Sequence, residues 1–393
     1  MTTQVVVVGS GYAGAGTVKA FEDEVGEGEA ELTWIAEHDY HLVLHEVHRA
    51  IRNPSVEEKI TIPVEEIKSP ETDFVQGRVV DVDVDERAVE TDDGTTVDYD
   101  YLLLAVGSST AFFGIDGLQE NAHQLKGLDD AKAIHDDVRA AAAEATQSDP
   151  AQVLVGGAGL SGIQTAGEIA EYRDKHRAPI DIALIEGMDE IFPGQDPEIQ
   201  GALRKRLAEA DVEILTGDFI SQADEEHVFL GGGEGEDPTK LPHDVLIWTG
   251  GITGQDEMRN VEIDKDERSN RVYAGSDFTT SDERVFAIGD TALVDQGDDE
   301  VAPPTAQAAW QAAEVAGENL ARAARGAPLQ SWRHEDKGTV VSVGEKAVAH
   351  DVMGMPISTF GGTPAKLLKK AIATRWIAKV SSTGRGISAF GDM

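Results

Sequence analysis

Two segments of the chain share one pattern, and this pattern restricts the fold more than any other feature of the sequence. Each begins with a short apolar run, at 4–8 and at 151–155, that leads into a glycine-rich turn, GSGYAG at 9–14 and GAGLSG at 157–162. A helix-like segment follows each turn, and a second apolar run then ends in a glutamate, in ELTWIAE and in IDIALIE. Apolar runs bounded by glycine are typical of buried parallel strands. The pattern therefore predicts an α/β fold with two Rossmann-like strand–helix–strand units.

The three glycines of each turn have separate roles in binding a dinucleotide. The first permits a tight turn, the second lets the backbone approach a pyrophosphate, and the third allows the helix to pack closely on the strand. They are Gly9, Gly11 and Gly14 in the first unit, and Gly157, Gly159 and Gly162 in the second. The pyrophosphate would lie at the helix N-terminus, where free amides and the helix dipole favour an anion.

A glutamate ends the second strand of each unit, where a ribose would lie. Glu37 in the first unit and Glu186 in the second can accept hydrogen bonds from ribose hydroxyls. A carboxylate at position 186 would also repel a 2′-phosphate. We therefore predict that the second unit prefers NADH to NADPH.

Composition excludes several classes of protein. The 393 residues include 73 acidic and 33 basic residues, and the formal charge of −40 argues against a nucleic-acid partner. The chain has no cysteine, which excludes a redox-active disulfide, a thiol nucleophile and cysteine-ligated metal clusters. No uncharged apolar run reaches the about 18 residues of a membrane-spanning helix, and no basic region precedes the first apolar run as in a signal peptide.

The excess of carboxylates also suggests an environment. At molar salt the Debye length falls to about 3 Å, so the repulsion between surface carboxylates largely disappears. We interpret the acidic composition as that of a protein from a salt-accumulating organism.

The order of further motifs resembles a known superfamily. YDYLLLAVG follows the first unit, HDVLIWTGG follows the second, and RVFAIGD comes after both. With the two glycine-rich turns, this order resembles the flavoprotein reductases with two dinucleotide-binding domains, over residues 1 to about 325. The resemblance implies that the first unit binds FAD, that the second binds NADH, and that Asp290 holds the ribityl chain. The implied FAD ligands are Gly9, Gly11, Gly14, Glu37, Gly107, Asp290 and Ala306, and the implied NADH ligands are Gly157, Gly159, Gly162, Glu186 and Gly250.

The same resemblance implies the domain organisation. Residues 1–125 and 253–330 would form the FAD-binding domain, with the NADH-binding domain, 126–252, inserted between its two parts. Residues 331–393 would form a small C-terminal segment with short strands and a basic helix. The acidic, glycine-rich tract 231–238 is predicted to form a solvated hairpin loop.

Two observations select a branch of this superfamily. Disulfide reductases, NADH peroxidases and sulfide:quinone reductases all need cysteine, so the absence of cysteine from this chain excludes these branches. PPTAQAAWQ resembles the AQxAxQ element of type II NADH dehydrogenases. The resemblance implies that Gln307 and Gln311, one helical turn apart, lie beside the flavin and the quinone. DKGTVVSVGEKAVAH and GMPISTFGGTPAKLL are similar to the C-terminal segment of that family. The resemblance implies an FAD-dependent oxidoreductase that takes a hydride from NADH and reduces a quinone, with menaquinone expected, without pumping ions.

Gln164 departs from the pattern of that family, whose second glycine motif is usually followed by a glutamate. A neutral amide cannot act as a proton donor or base at neutral pH. Glu168, one helical turn later, could substitute, although a residue there is more often on the helix surface. The resemblance implies Gln164, Gln307 and Gln311 as the catalytic residues, although the amide of Gln164 cannot supply the proton that a glutamate could.

Two histidines after Glu37 have a spacing that metal ligands can have. His45 and His48 are three residues apart. No third ligand is evident, so we predict no metal site.

The C-terminal segment contains a basic stretch with an apolar stripe. Residues 364–380 have five basic residues and no acidic residue, and apolar side chains recur every four residues at Leu368, Ile372, Trp376 and Val380. Lys369 and Lys379 interrupt the apolar face. A basic helix with one aromatic residue suits the headgroup region of an anionic membrane. We expect peripheral attachment to the cytoplasmic face of the cell membrane; the alternative is docking on the body of the protein or on a sister subunit in a homodimer.

Two other functions share the nucleotide motifs. A soluble reductase could pass electrons from NADH to a ferredoxin-like protein, and would differ mainly in the last about 70 residues. A non-enzymatic flavoprotein could bind NADH and signal through its conformation, and Gln164 favours this alternative. Turnover with a quinone distinguishes the three hypotheses.

Overall fold

The computed structural model describes residues 2–232 and 237–392. Residues 233–236 of the hairpin loop predicted at 231–238 therefore lie outside the described residues.

The first unit and the hairpins after it occupy the N-terminal third of the chain. In order, the elements are β1 (Thr3–Val8), α1 (Tyr12–Glu24), β2 (Ala30–Ala36), β3 (Tyr40–Leu42), α2 (Arg49–Arg52), α3 (Glu57–Ile60), β4 (Thr61–Pro63), β5 (Asp73–Gln76), β6 (Val79–Asp83), β7 (Ala88–Thr91), β8 (Thr96–Asp98), β9 (Tyr101–Leu104), β10 (Ser108–Thr110) and α4 (Leu118–Asn121). Short 3-10 turns lie at Leu44–Glu46, Pro54–Val56 and Val64–Glu66.

The second unit has the same order of strand, helix and strand. Its elements are α5 (Leu128–Glu144), β11 (Ala151–Gly156), α6 (Leu160–His176), β12 (Ile180–Glu186), α7 (Pro197–Glu209), β13 (Glu213–Thr216), β14 (Ile220–Ala223), β15 (His227–Leu230), β16 (Thr239–Pro242), β17 (Val245–Trp248) and β18 (Ile252–Gly254).

The remaining elements return to the first sheet and then form the C-terminal segment. They are β19 (Val272–Ala274), β20 (Val285–Ala287), β21 (Ala292–Gly297), β22 (Glu300–Val301), α8 (Ala306–Ala324), β23 (Thr339–Val343), β24 (Lys346–His350), β25 (Thr359–Gly361), α9 (Thr363–Val380) and α10 (Thr383–Asp392). Two more 3-10 turns lie at Asp256–Asn260 and Gly289–Thr291.

Two parallel sheets confirm the predicted α/β fold. The first has the strand order β20-β9-β1-β2-β5, and the second has the order β13-β12-β11-β17. Every neighbouring pair in both sheets is parallel. In the first sheet β1 is the central strand, and its four consecutive valines are at most 2% exposed, which explains the apolar run at the start of the chain. Burial of each contributes about 2 kcal/mol to stability.

Helix α8 packs along α1 on one face of the first sheet, and small residues allow the close approach. A Cβ atom at Gly16 would lie 2.7 Å from Cβ of Ala313, and one at Gly317 would lie 2.5 Å from Cβ of Ala20. Side chains larger than hydrogen at either glycine would push the two helices apart. The alanine-rich sequence of α8 therefore brings its N-terminus to the glycine-rich turn that begins α1.

The C-terminal segment contacts both units. Its sheet, β23-β24-β25, packs on α6, where a Cβ atom at Gly167 would lie only 2.5 Å from the backbone nitrogen of Gly344. Helix α9 then crosses to α1, and Trp376 lies with no exposed surface beside Gly16 and Tyr12. Helix α10, which the sequence analysis did not predict, packs on α9.

The structure corrects the expected membrane-facing stripe of α9. Trp376 and Val380 are at most 1% exposed, whereas Ile372 is 39% exposed. The buried part of the stripe therefore docks on the body of the protein, which is the alternative considered above. In residues 2–232 and 237–392, no helix combines the length and apolarity needed to cross a bilayer.

Candidate active site

The first glycine-rich turn has the geometry expected for binding a pyrophosphate. Gly9 has a φ of +106°, and its Cβ atom would lie 2.2 Å from the carbonyl oxygen of Ala105. A Cβ atom at Gly14 would lie 1.9 Å from the carbonyl oxygen of Gly9, so only glycine lets α1 start this close to β1. Gly11 caps α1 without a side-chain hydrogen bond and faces open space, since a Cβ atom there would meet nothing within 4 Å. The uncapped amides and this space fit a phosphate group.

The second turn repeats this arrangement. Gly157 has a φ of +89°, and a Cβ atom at Gly162 would lie 1.8 Å from the Gly157 carbonyl oxygen. Gly159 caps α6 without a side-chain bond and also faces open space. Gly250, two residues after β17, lies against this turn, since a Cβ atom on Gly157 would be 2.6 Å from its Cα. The fold thus brings Gly250 next to the three glycines of the turn, all four of which the resemblance implied as NADH ligands.

The two strand-end glutamates differ in their surroundings. Glu37 directly follows β2 and is exposed. Glu186, the last residue of β12, is 9% exposed, and its two carboxylate oxygens accept hydrogen bonds from the backbone amides of Ala158, at 2.9 Å, and Met188, at 3.1 Å. Glu186 therefore also fixes the glycine-rich turn, and each oxygen keeps a lone pair for a ribose hydroxyl.

A polar chain connects the end of β9 with the turn that carries Asp290. The Gly107 amide donates to Oγ1 of Thr291 at 2.8 Å. Ser108 Oγ donates to Oδ2 of Asp290 at 3.1 Å and accepts from Nζ of Lys126 at 2.8 Å. Burial lowers the pKa of Lys126, against the opposing effect of the Asp290 carboxylate. The structure thus brings Gly107 and Asp290 together, and adds three residues that the sequence analysis missed.

The start of α1, the start of α8 and the turn at Gly289 lie close together beside Asp290. A Cβ atom at Gly289 would lie 3.0 Å from Cβ of Ala13 in α1 and 3.8 Å from Cβ of Ala309 in α8. Ala306 is the first residue of α8, whose N-cap is the Thr305 side chain. The residues fit FAD, because the open glycine turn suits a pyrophosphate and the Asp290 carboxylate suits the hydroxyls of a sugar chain.

Both glutamines of the AQxAxQ element bind backbone. Gln307 accepts from the Lys337 amide at 2.8 Å and donates to the Gly338 carbonyl at 3.1 Å. Gln311 accepts from the Glu335 amide at 3.0 Å and donates to its carbonyl at 2.8 Å. The pair therefore holds the segment 335–338 against α8. Their catalytic role stays a prediction.

Gln164 lies in a buried polar cluster that the sequence analysis did not foresee. It is 8% exposed, and its Oε1 accepts from Nζ of Lys369 at 2.6 Å and from Oγ of Ser342 at 3.2 Å. Nζ of Lys369 also lies 2.7 Å from Ser342 Oγ and 3.2 Å from Nε2 of His48. The cluster joins α6, the segment before α2 and the C-terminal segment. The lysine that interrupted the apolar stripe of α9 is thus the one that Gln164 binds.

Glu46 supplies the negative charge of this cluster. Its Oε1 lies 3.5 Å from Lys369 Nζ, and its Oε2 accepts a hydrogen bond from Nε of Arg49. Burial alone would raise the pKa of Glu46, but the charges of Lys369 and Arg49 lower it below its ordinary value. Burial lowers the pKa of Lys369 to about 8, although Glu46 opposes the shift.

Glu168 is in the interior, contrary to the expectation of a helix-surface position. It has no exposed surface, and its Oε2 lies 3.0 Å from Nε of Arg52. Burial raises the pKa of Glu168 to about 7, because the nearby Arg52 and Arg49 only partly offset the loss of water. A carboxyl group that titrates near neutral pH therefore lies one turn from Gln164.

The histidines near the cluster make hydrogen bonds. His45 Nδ1 bonds the hydroxyl of Tyr12, the first residue of α1. His41 Nδ1 bonds the Ser10 carbonyl at 2.7 Å, and its Nε2 accepts from Nε1 of Trp376 at 2.8 Å. Burial lowers the pKa of His41 to about 4, so the ring is neutral. Through His41, helix α9 is bonded to the first glycine-rich turn.

One group of potential metal ligands lies away from these sites, among the residues that the structure describes. Asp196, Glu198 and His350 bring three ligand atoms within 4.8 Å of one another. Glu198 Oε2 already accepts hydrogen bonds from Ser358 and Thr359. The prediction of no metal site stays a prediction.

Comparison with known proteins places the chain in a family. The model of the pyridine nucleotide-disulphide oxidoreductase family matches residues 3–313. The type II NADH:quinone oxidoreductase of Staphylococcus aureus strain NCTC 8325 is 29% identical over 396 aligned positions, which cover 97% of this chain and 96% of that protein.

Solved structures share the fold at lower identity. NDH2 of Plasmodium falciparum in complex with NADH superposes with a TM-score of 0.84 at 16% identity, covering 100% of this chain and 98% of that one. The sulfide:quinone oxidoreductase of Aquifex aeolicus gives a TM-score of 0.80 at 17% identity, covering 98% and 92%. A ferredoxin reductase of Rhodopseudomonas palustris gives 0.73 at 16% identity, covering 88% and 82%. With both glycine-rich turns, Glu186 and Asp290 in place, the chain belongs to the pyridine nucleotide-disulphide oxidoreductase family.

Proposed function

We propose that this protein is an FAD-dependent NADH:quinone oxidoreductase. The observation that carries the proposal is the likeness to type II NADH:quinone oxidoreductases over 97% of the chain, which includes the C-terminal segment after residue 330. The chain also lacks cysteine, so the two-electron chemistry of this family cannot pass through a protein disulfide here.

The residues of the chain bind and orient the two nucleotides. The first turn and Asp290 would hold FAD, and the second turn and Glu186 would hold NADH. Bound FAD supplies the redox chemistry, because it accepts a hydride and passes on two electrons. The contribution of the protein is orientation of the reacting rings and exclusion of water.

The quinone would approach along α8, with menaquinone as the expected acceptor. Gln307 and Gln311 position the segment 335–338 beside α8 through four hydrogen bonds to its backbone. The buried cluster of Gln164 and Lys369 lies at the junction of the C-terminal segment with both units. Reduction of a quinone by NADH consumes one proton. Lys369 in this cluster has a pKa of about 8, and Glu168, one helical turn from Gln164, has a pKa of about 7.

We further propose peripheral membrane attachment through the outer surface of α9 and α10. Four apolar side chains there are between 37% and 68% exposed, namely Leu367, Ile372, Ile387 and Phe390. The basic residues contribute less than the sequence indicated, because Lys369 is buried, Lys366 pairs with Glu345, and Lys379 pairs with Glu314. The attachment therefore depends mainly on apolar contact. The cytoplasmic face and a homodimer remain part of the proposal.

A single-turnover experiment tests the proposed function. The FAD-loaded protein is mixed anaerobically with NADH, and the loss of flavin absorbance is recorded; a water-soluble menaquinone analogue is then added, and the recovery is timed. We expect NADH to bleach the flavin and the quinone to restore its absorbance.

A variant separates the two half-reactions. Gln311→Leu frees the backbone of Glu335, and should slow the recovery with quinone about tenfold while leaving bleaching by NADH unchanged. The control is Glu314→Gln, which removes an exposed ion pair on the same helix. Bleaching without any recovery in the unmodified protein would contradict the proposal.

A further inference from the structure

An exposed aromatic ring lies beside the second nucleotide site. Phe219 follows β13, immediately before β14, and is 65% exposed. Burial of a phenylalanine side chain is worth about 1.5–3 kcal/mol, so contact between this ring and a ligand would be favourable.

The ring lies directly on the backbone that follows Glu186. A Cβ atom at Gly187 would be 2.2 to 2.7 Å from three carbon atoms of the Phe219 ring. The amide of Gly217 donates to the carbonyl oxygens of both Glu186 and Met188 at 3.0 Å, which fixes the two loops relative to each other. Phe219 can adopt this position only because residue 187 has no side chain.

A second apolar side chain extends from the same strand end. Met188 is 52% exposed and lies two residues after Glu186. A flexible thioether packs favourably against an aromatic ring or a base. Phe219 and Met188 thus offer two apolar surfaces next to the ribose-binding carboxylate.

The chemistry of NADH places its adenine here. In a dinucleotide whose ribose 2′-hydroxyl is held by Glu186, the base is attached to the neighbouring carbon of the same ring. The base must therefore lie within a few ångström of the strand end, and a purine stacks well on an aromatic face.

We propose that Phe219 stacks on the adenine of NADH and that Met188 forms the other wall of an adenine-binding site. The inference rests on the proposed function, because that function makes NADH the substrate. It assigns to these two residues the discrimination between NADH and reduced nicotinamide mononucleotide, which has no adenosine.

The test compares these two hydride donors in variants of the FAD-loaded protein. Phe219→Ala should raise the KM for NADH and the Kd for ADP-ribose about tenfold, and Phe219→Trp should retain both. Gly187→Ala should act like Phe219→Ala, because its methyl group displaces the ring. With reduced nicotinamide mononucleotide, kcat/KM should be the same in all variants. The control is Tyr273→Ala, which removes a 47% exposed aromatic side chain on β19, a strand outside the second parallel sheet.

The outcomes separate this inference from the proposed function. If Phe219→Ala lowered kcat/KM equally with both hydride donors, or left the Kd for ADP-ribose unchanged by calorimetry, the adenine site would be overturned. If no variant reduces a quinone but binding of ADP-ribose still depends on Phe219, the adenine site stands and the proposed function is wrong.

Discussion

Substitution of Lys369 by methionine tests the buried cluster most sharply. The ammonium group lies 2.6 Å from Gln164 Oε1 and 3.5 Å from Glu46 Oε1, and the side chain is 4% exposed. Methionine has nearly the same length but leaves Glu46 with Arg49 as its remaining close cation. Removal of one partner of a buried ion pair destabilises a protein by about 3–5 kcal/mol. Because Arg49 remains, we expect about 3 kcal/mol.

The assay is thermal unfolding of the FAD-loaded protein by calorimetry. For a chain of 393 residues the entropy of unfolding is about 0.8 kcal/mol per kelvin, so this loss lowers Tm by about 4 °C. The control is Lys370→Met at the next position, whose ammonium group bonds backbone carbonyls near the surface, and it should change the free energy of unfolding by less than about 0.5 kcal/mol.

The pH dependence gives a second readout. The pKa of Lys369 is about 8 in the folded protein and 10.5 ordinarily, so the unfolded chain binds more protons between these values. Stability of the unmodified protein therefore rises from pH 8 to 10.5 through this group, and Lys369→Met removes that rise. Equal Tm values for Lys369→Met and Lys370→Met would refute the buried ion pair.

Two further predictions concern the same junction. Burial raises the pKa of Glu168 to about 7 from an ordinary 4.5, so the contribution of this group to stability is complete below pH 4.5 and is lost as the pH rises to 7. Glu168→Gln should remove this decline when the free energy of unfolding is measured against pH. An unchanged dependence of the free energy of unfolding on pH would contradict the assignment. Trp376→Ala removes a fully buried side chain and its hydrogen bond to His41, and should lower the free energy of unfolding by about 4 kcal/mol. It should also speed the release of FAD, measured by flavin fluorescence. The control is Ile387→Ala, an exposed position on α10. Equally slow release in both variants would show that α9 does not support the first glycine-rich turn.

The parts of the fold that follow local rules could be predicted from the sequence. The glycine-rich turns, the apolar strands before them and the glutamates that end the second strands are determined within about 35 residues of chain. Gly9 is an example. Its positive φ and the close approach of the Ala105 carbonyl require glycine at this position, so the local sequence predicts the turn.

Long-range contacts could not be predicted in this way. Lys369 and Gln164 are 205 residues apart, and nothing in either helix alone indicates that they meet. The position of Lys369 within the apolar stripe was the available signal, since a lysine on a buried helix face requires a partner. Glu168 was misjudged for a related reason, because the residues that cover it belong to the C-terminal segment and to the segment around α2.

The roles of the two glutamines of α8 show a different limit. The motif predicted their helix and their spacing, and both are observed. Their four hydrogen bonds go to residues 335–338, which a motif of nine residues cannot show.

Steady-state oxidation of NADH by the FAD-loaded protein in molar salt distinguishes the proposed function from a ferredoxin reductase. A water-soluble menaquinone analogue and a ferredoxin are compared as electron acceptors under the same conditions. We predict efficient reduction of the quinone and little turnover with ferredoxin. Strong turnover with ferredoxin and none with the quinone would contradict the proposed function, and would leave the assignment of the two nucleotide sites intact.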